Sequence, residues 1–257
     1  MPVVLLALLV TTLQLNRVHS SPPREKIMIE VDISGMRPGK VEIIPSAQYP
    51  GAINYIVRGN SRHTHVIGNI KDGSVLITEG DPRSMSRYVL LLRKNNGTKY
   101  LRVITRYRNN NIYSTRITEF RKRENEVEYS AVIKRPVDIN LPTQEDNNAI
   151  SVKLVSIPEP GDTKPEQAQS LKFSVKQEMI DEIIIGKVLF GKYILDDKRT
   201  DMVNRVVIWE GGLRYPSVTI ITRYSDGNEL ENDYKYMDSE IGFVVESVKR
   251  KFSSLCE

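Results

Sequence analysis

Most of this chain is written twice. The segment from Asn54 to Arg87 matches Lys172 to Arg205 at a constant offset of 118 residues. Tyr55-Ile56-Val57 stands against Phe173-Ser174-Val175, Gly68 against Gly186, Gly73 against Gly191, and Arg87 against Arg205. After a one-residue gap, Ile104-Thr105-Arg106-Tyr107 recurs as Ile221-Thr222-Arg223-Tyr224. Upstream, Val31-Asp32-Ile33 recurs as Val137-Asp138-Ile139. A duplication of this kind implies two units of one architecture in tandem. The lone cysteine, Cys256, allows no internal disulfide, so each unit must fold on its apolar core, which units of about 110 residues can do.

Both units are expected to be mainly β. Leu101, Val103, Thr105 and Tyr107 alternate with Arg102, Ile104, Arg106 and Arg108, the period of a half-buried strand. Lys94-Asn95-Asn96-Gly97 and Glu210-Gly211-Gly212 lie between apolar runs and read as hairpin turns, with Ser225-Asp226-Gly227-Asn228 a further turn. One stretch breaks the pattern. From Ser239, the residues Ile241, Val244, Val245, Val248, Phe252 and Leu255 fall at three- and four-residue spacing, which predicts a C-terminal amphipathic helix capped by Asp238 or Ser239. Glu124 to Lys134 is its expected counterpart. The organisation predicted is a first module over 21–135 and a second over 136–257, the seam at Arg135-Pro136. An exposed loop is inserted from Pro158 to Gln169.

The first residues read as a targeting segment. Val3 to Leu13 is apolar apart from Thr11 and Thr12, too short for a comfortable membrane span, and Val18-His19-Ser20 suits signal-peptide cleavage after Ser20. The expectation is a cleaved leader over 1–20 and a secreted chain with no transmembrane segment thereafter. The two modules differ in charge. Residues 21–135 carry 21 Lys and Arg against 11 Asp and Glu, or +10, and residues 136–257 carry 15 against 21, or −6. Opposite signs suit docking of one module on the other or recruitment of different partners; drift on solvated surfaces gives the same asymmetry.

The second hairpin carries a family likeness. Asn204-Arg205-Val206-Val207-Ile208-Trp209-Glu210, followed by Tyr215-Pro216-Ser217-Val218-Thr219-Ile220, resembles the FAINT repeat of Theileria-type piroplasm proteins. The Val-Asp-Ile at 31–33 and 137–139 looks like the start of such repeats. The likeness covers roughly 137–250 directly and 31–125 through the internal duplication. Leu91 stands where Trp209 does, and Tyr100-Leu101 where Tyr215-Pro216 does. The resemblance implies a secreted protein of tandem repeats acting at the parasite surface or in the host cell. It supplies no catalytic residues.

Sites of chemistry are sparse. His63 and His65 fall on one strand face, but a catalytic metal site needs a third ligand and no third His or nearby Cys offers one. No nucleophile elbow or phosphate loop is present. Catalytic, cofactor-binding and metal residues are therefore expected to be none, and the chain is expected not to be an enzyme. Trp209 reads as a core anchor of the repeat. Asn96-Gly97-Thr98 is a formal glycosylation acceptor at a turn. The binding candidate is a basic stripe: Arg102, Arg106 and Arg108 on one strand face, with Arg121, Lys122 and Arg123 nearby. Such a stripe suits a polyanion (nucleic acid, acidic glycan or lipid). It suits better still a solvated face that keeps strand edges from pairing. The function expected is non-enzymatic interaction with a host or parasite-surface protein, with anion binding by the first module as the alternative.

Overall fold

The computed structural model describes residues 25–109, 112–156 and 170–252. The leader, the Pro158–Gln169 insertion, Leu255 and Cys256 lie outside the described residues. Among the described residues everything regular is β, apart from three single turns of 3-10 helix. The first module holds β1 (Ile27–Asp32), β2 (Val41–Pro45), β3 (Ile53–Val57), β4 (His65–Asp72), β5 (Val75–Thr78), β6 (Ser84–Arg93), β7 (Lys99–Asn109), β8 (Ile112–Lys122) and β9 (Ser130–Ala131). The second holds β10 (Arg135–Asn140), β11 (Ile150–Ser156), β12 (Ser170–Val175), β13 (Ile183–Phe190), β14 (Tyr193–Asp196), β15 (Met202–Glu210), β16 (Ser217–Tyr224), β17 (Asn228–Asp238) and β18 (Gly242–Phe252).

The topology repeats strand for strand. A three-stranded sheet of order β1-β4-β5 faces a six-stranded sheet of order β2-β3-β6-β7-β8-β9; β10-β13-β14 faces β11-β12-β15-β16-β17-β18 in the same way. Period-two alternation sends one face of each sheet inward. The inward faces make one apolar core per module: Val31, Ile67, Ile70, Val89, Leu101 and Val103 in the first, and Ile139, Ile185, Val188, Phe173, Val207 and Ile220 in the second. The predicted hairpin turns join β6 to β7, β15 to β16 and β16 to β17. Gly211 is obligatory at its turn, because its φ is +78° and a Cβ would lie 2.1 Å from the Tyr215 carbonyl oxygen.

The matched arginines tie the two sheets of each module together. Arg205 is fully buried and reaches from β15 into the small sheet. It donates to the Gly186 carbonyl at 2.6 Å, to Thr222 Oγ1 at 3.0 Å and to Asp196 Oδ1 at 3.0 Å. Arg87 donates to the carbonyl of Gly68 and to Thr78 Oγ1, while its Nε has no partner. The glycines recur for a separate reason: a Cβ would lie 2.8 Å from the Met28 Cβ at Gly68 and 2.9 Å from the Pro136 Cβ at Gly186, so each lets the paired strand, β1 or β10, approach closely.

Three expectations are corrected. The predicted C-terminal helix is strand β18, antiparallel to β17 from Asn228 opposite Phe252 to Asp238 opposite Gly242. Asp238 Oδ1 accepts from the amides of Glu240 and Ile241, and Gly242 at φ +76° completes a tight turn back along β17. The extended chain then satisfies β17's backbone groups and seats Phe243 among Phe190, Tyr193 and Tyr236. Its supposed counterpart, Glu124–Lys134, holds only the two-residue strand β9. The third concerns register. Ile29 pairs with Ile67, and Val137 with Ile185, the match of Ile67. The structural equivalent of Val137-Asp138-Ile139 is thus Ile29-Glu30-Val31, two residues before Val31-Asp32-Ile33. Asp32 and Asn140 confirm it, each accepting from the amide of the matched glycine, Gly73 or Gly191.

The modules meet through the outer face of the first large sheet. Tyr49, Ala52, Leu90, Leu92 and Tyr100 of the first module bury Ile180 of the second, with Val132 and Val175 alongside. Lys94 and Asp181 form an ion pair across the junction, their side chains 6% and 2% exposed. Lys94 Nζ also donates to the Glu178 carbonyl at 2.6 Å, Gln177 Nε2 to the Pro50 carbonyl at 2.8 Å, and the Ile117 amide to the Ser225 carbonyl at 2.7 Å.

Candidate interaction surfaces

The six residues of the basic stripe occupy separate environments. Arg102 is 3% exposed and donates from Nε to Glu119 Oε1 at 3.1 Å. Glu119 also receives Lys134 Nζ at 2.8 Å and the Tyr100 hydroxyl. Burial raises the Glu119 carboxyl, but the charges of Lys134 and Arg102 more than offset this and hold it below its usual range. The Tyr100 hydroxyl is pushed well up, burial first among the causes. Arg102 is thus committed to the wall behind the junction. Arg121 reaches across the junction to the Asp181 carbonyl at 3.4 Å. Arg108 lies over the Tyr113 ring, 5.7 Å from its centroid, and Arg106, on the same face, is half-buried and engaged within the chain. Lys122 points to the opposite face, towards Asp72. Arg123 pairs locally with Glu126 at 3.3 Å. Arg102, Arg106 and Arg108 do share a strand face, as expected, but the set of six does not converge on one open surface.

The histidines part company. His63 is exposed, whereas His65 is buried between Lys40 Nζ and Thr64 Oγ1. No group of three metal-ligating side chains occurs among the described residues. Trp209 packs on the second core. Its ring meets Phe190 edge-on at 5.3 Å, and its Nε1 donates to the Gly212 carbonyl at 3.1 Å. Asn96 is exposed at its turn, and its Oδ1 accepts from the Thr98 amide.

Two surfaces escaped the sequence reading. One is β18, the outermost strand of the second large sheet among the described residues. It offers eleven residues of backbone, and Ile241, Val245 and Val248 are 60%, 54% and 59% exposed beside it. Its distal half is gated by charge: Lys249 pairs with Glu231 and Asp233, and Lys251 with Glu231. The matching edge of the first module is the two-residue β9. The other surface is a groove of about 500 Å³ beside the junction, floored by β11, β12 and β15 and walled by Gln48, Tyr49 and Pro50. No helix among the described residues is long and apolar enough to cross a membrane. Comparison with protein-family models, with curated proteins and with solved structures found no match to this chain.

Proposed function

We propose that this chain is a secreted, non-enzymatic interaction protein of two FAINT-like modules, and that it engages a host or parasite-surface protein through the β18 edge. The observation that carries this reading is the exposed apolar edge itself. A long outermost strand presents unpaired backbone donors and acceptors, and flanking apolar side chains add contact area to any strand laid against it. Natural sheets usually blunt such an edge. Here Lys249 and Lys251 blunt the distal half, whereas the proximal half carries one charge, Glu246, in an exposed pair with Lys235. The apolar core of the junction supports the reading too, since two modules docked through Ile180 present the edge as part of one body. The partner this suits is a protein able to offer an extended segment.

The test is affinity capture from host-cell lysate and surface extracts, using the full secreted chain and its V245K/V248K variant. One saturable protein partner, retained at moderate salt by the parent and lost by the variant, is the expected result. Equal capture by both sinks the edge as the site. Capture of polyanions alone, eluting together as salt rises, sinks the protein-partner reading.

A further inference from the structure

The groove beside the junction contains an electrostatic anomaly. Lys153 on β11 and Lys172 on β12 are directly opposite each other in the ladder, and both line the groove. Like charges placed so are destabilising. Neither ammonium has a hydrogen bond or ion pair among the described residues. The Asp146 carboxylate acts on Lys153 only at longer range, being held by Lys176 Nζ at 2.7 Å and the Val152 amide at 3.0 Å. One step along the same face, Ser151 stands opposite Ser174, with Asn204 beyond on β15. These hydroxyls and this amide also make no side-chain hydrogen bond among the described residues. Glu178, on the rim, is the other carboxylate of the lining.

The arrangement is particular to this site. The β2–β3 ladder places Ile44 opposite Asn54 where β11–β12 places Lys153 opposite Lys172. The basic pair therefore arose in the module that is acidic overall, at a face where the other module supplies a wall. Its volume falls in the range of small-ligand sites.

We infer that this groove binds a tetrahedral oxyanion, the phosphate or sulfate group of a small ester, between the ammonium groups of Lys153 and Lys172. Two ammonium groups supply matching charge and up to six donors, and the serine hydroxyls and the Asn204 amide add neutral donors on the same floor. The anion's negative charge relieves the repulsion between the lysines, so binding strengthens the fold as well as occupying the groove. The ester's organic part lies against Tyr49 and Pro50, so the two modules contribute jointly. This site is independent of β18 and stands or falls separately from it.

The experiment is an NMR titration of the full chain with inorganic phosphate, inorganic sulfate and galactose 6-sulfate, repeated with K153Q, K172Q and, as a distant control, K249Q. Saturable shifts confined to the groove are expected, with affinity falling at least about tenfold in K153Q and K172Q but unchanged in K249Q. A sugar ester that binds more tightly than either inorganic ion bears out the role of the Tyr49 wall. Shifts spread over many surface lysines, or groove shifts indifferent to K153Q and K172Q, overturn the site. Loss of binding by misfolding is separable: removing one of two facing like charges raises the urea midpoint, whereas a misfolded variant lowers it.

Discussion

The open ends of the two modules are built on one backbone plan and filled by opposite chemistry. In the first, Asp72 is 4% exposed at the side chain and gathers Lys99 Nζ at 2.6 Å, Lys122 Nζ at 3.5 Å and the Tyr129 hydroxyl at 3.0 Å. In the second, the residue matching Asp72 is Phe190, which packs on Trp209, Phe243 and, through Phe243, Tyr236. The outer faces differ as sharply. Leu90, Leu92, Tyr100 and Arg102 bury the junction, while their matches by ladder register, Ile208, Glu210, Ser217 and Thr219, remain partly or fully open; the ladders put Tyr100 opposite Leu92 as Ser217 is opposite Glu210, which corrects its expected match to Tyr215 by two residues. Even the cross-strand pair Arg102–Glu119 has a counterpart, Thr219–Asp233, with Thr219 Oγ1 donating to Asp233 Oδ1 at 2.8 Å. The duplication preserved the apolar centre between the two sheets of each module and freed the open end and the outer faces. Identity of fold therefore does not carry identity of surface, and a binding role is assigned to one module at a time.

The comparison breaks most decisively at its buried pair. Glu119→Gln strips the partner from two buried cations, and the expected loss is about 3–5 kcal/mol. Asp233→Asn, at the matched position but solvated, costs below about 1 kcal/mol. Urea unfolding of the two variants measures the difference. Similar losses would mean that the junction face is no more committed than the open one.

Much of this was legible in the sequence, and the gaps have physical causes. Strands, hairpin turns and the Gly-with-Arg matches follow from the constant offset, because residues between two sheets are constrained by both. The Val-Asp-Ile match went astray by two because a strand keeps the same face inward after a two-residue slip. Val244, Val245 and Val248 fit a helical stripe, yet Glu231 and Asp233 against Lys249 and Lys251 carried the period of a strand pair. The basic stripe was read along one strand, whereas Glu119, which commits Arg102, arrives from the next. The Lys153–Lys172 pair was invisible, since the inserted loop between β11 and β12 hides their register.

The repeated arginines sharpen the comparison at smaller amplitude. Arg205→Met leaves Asp196, Thr222 and the Gly186 carbonyl without their donor, for an expected loss of about 2–3 kcal/mol. Arg87→Met strands only a carbonyl and a hydroxyl and removes an already unpartnered Nε, for about 1–2 kcal/mol. Denaturation midpoints in the order parent, R87M, R205M are expected; the reverse order would refute the claim that the second copy holds the better-satisfied clamp.

Acid should separate the modules by salt. Burial raises the Asp72 and Glu119 carboxyls, but their cationic and hydroxyl partners prevail and both end below the ordinary range. Glu231 and Asp233 are lowered as well, chiefly by hydrogen bonds from Lys249 and Ser247 respectively. A carboxyl depressed in the folded state contributes stability above its unfolded value, about 4, and loses it as pH falls through the folded value. The solvated pairs of β17 and β18 are screened by salt and the buried ones far less. Raising salt should therefore flatten only part of the acid limb, and the part that persists should shrink in E119Q.

The smallest effect concerns the proposed edge. Val248 is 59% exposed and borders solvent, so Val248→Lys removes little buried area and is expected to shift stability within about 0.5 kcal/mol. The same change places a charge on the apolar half of β18, where strand addition would have to bury it. A variant with parental stability but reduced association would locate the binding surface on the second module's outermost strand, at a place where the first module, ending in the two-residue β9, has nothing equivalent. A large stability loss would instead show that Val248 packs against the fold, and the contrast between the two edges would lose its functional meaning.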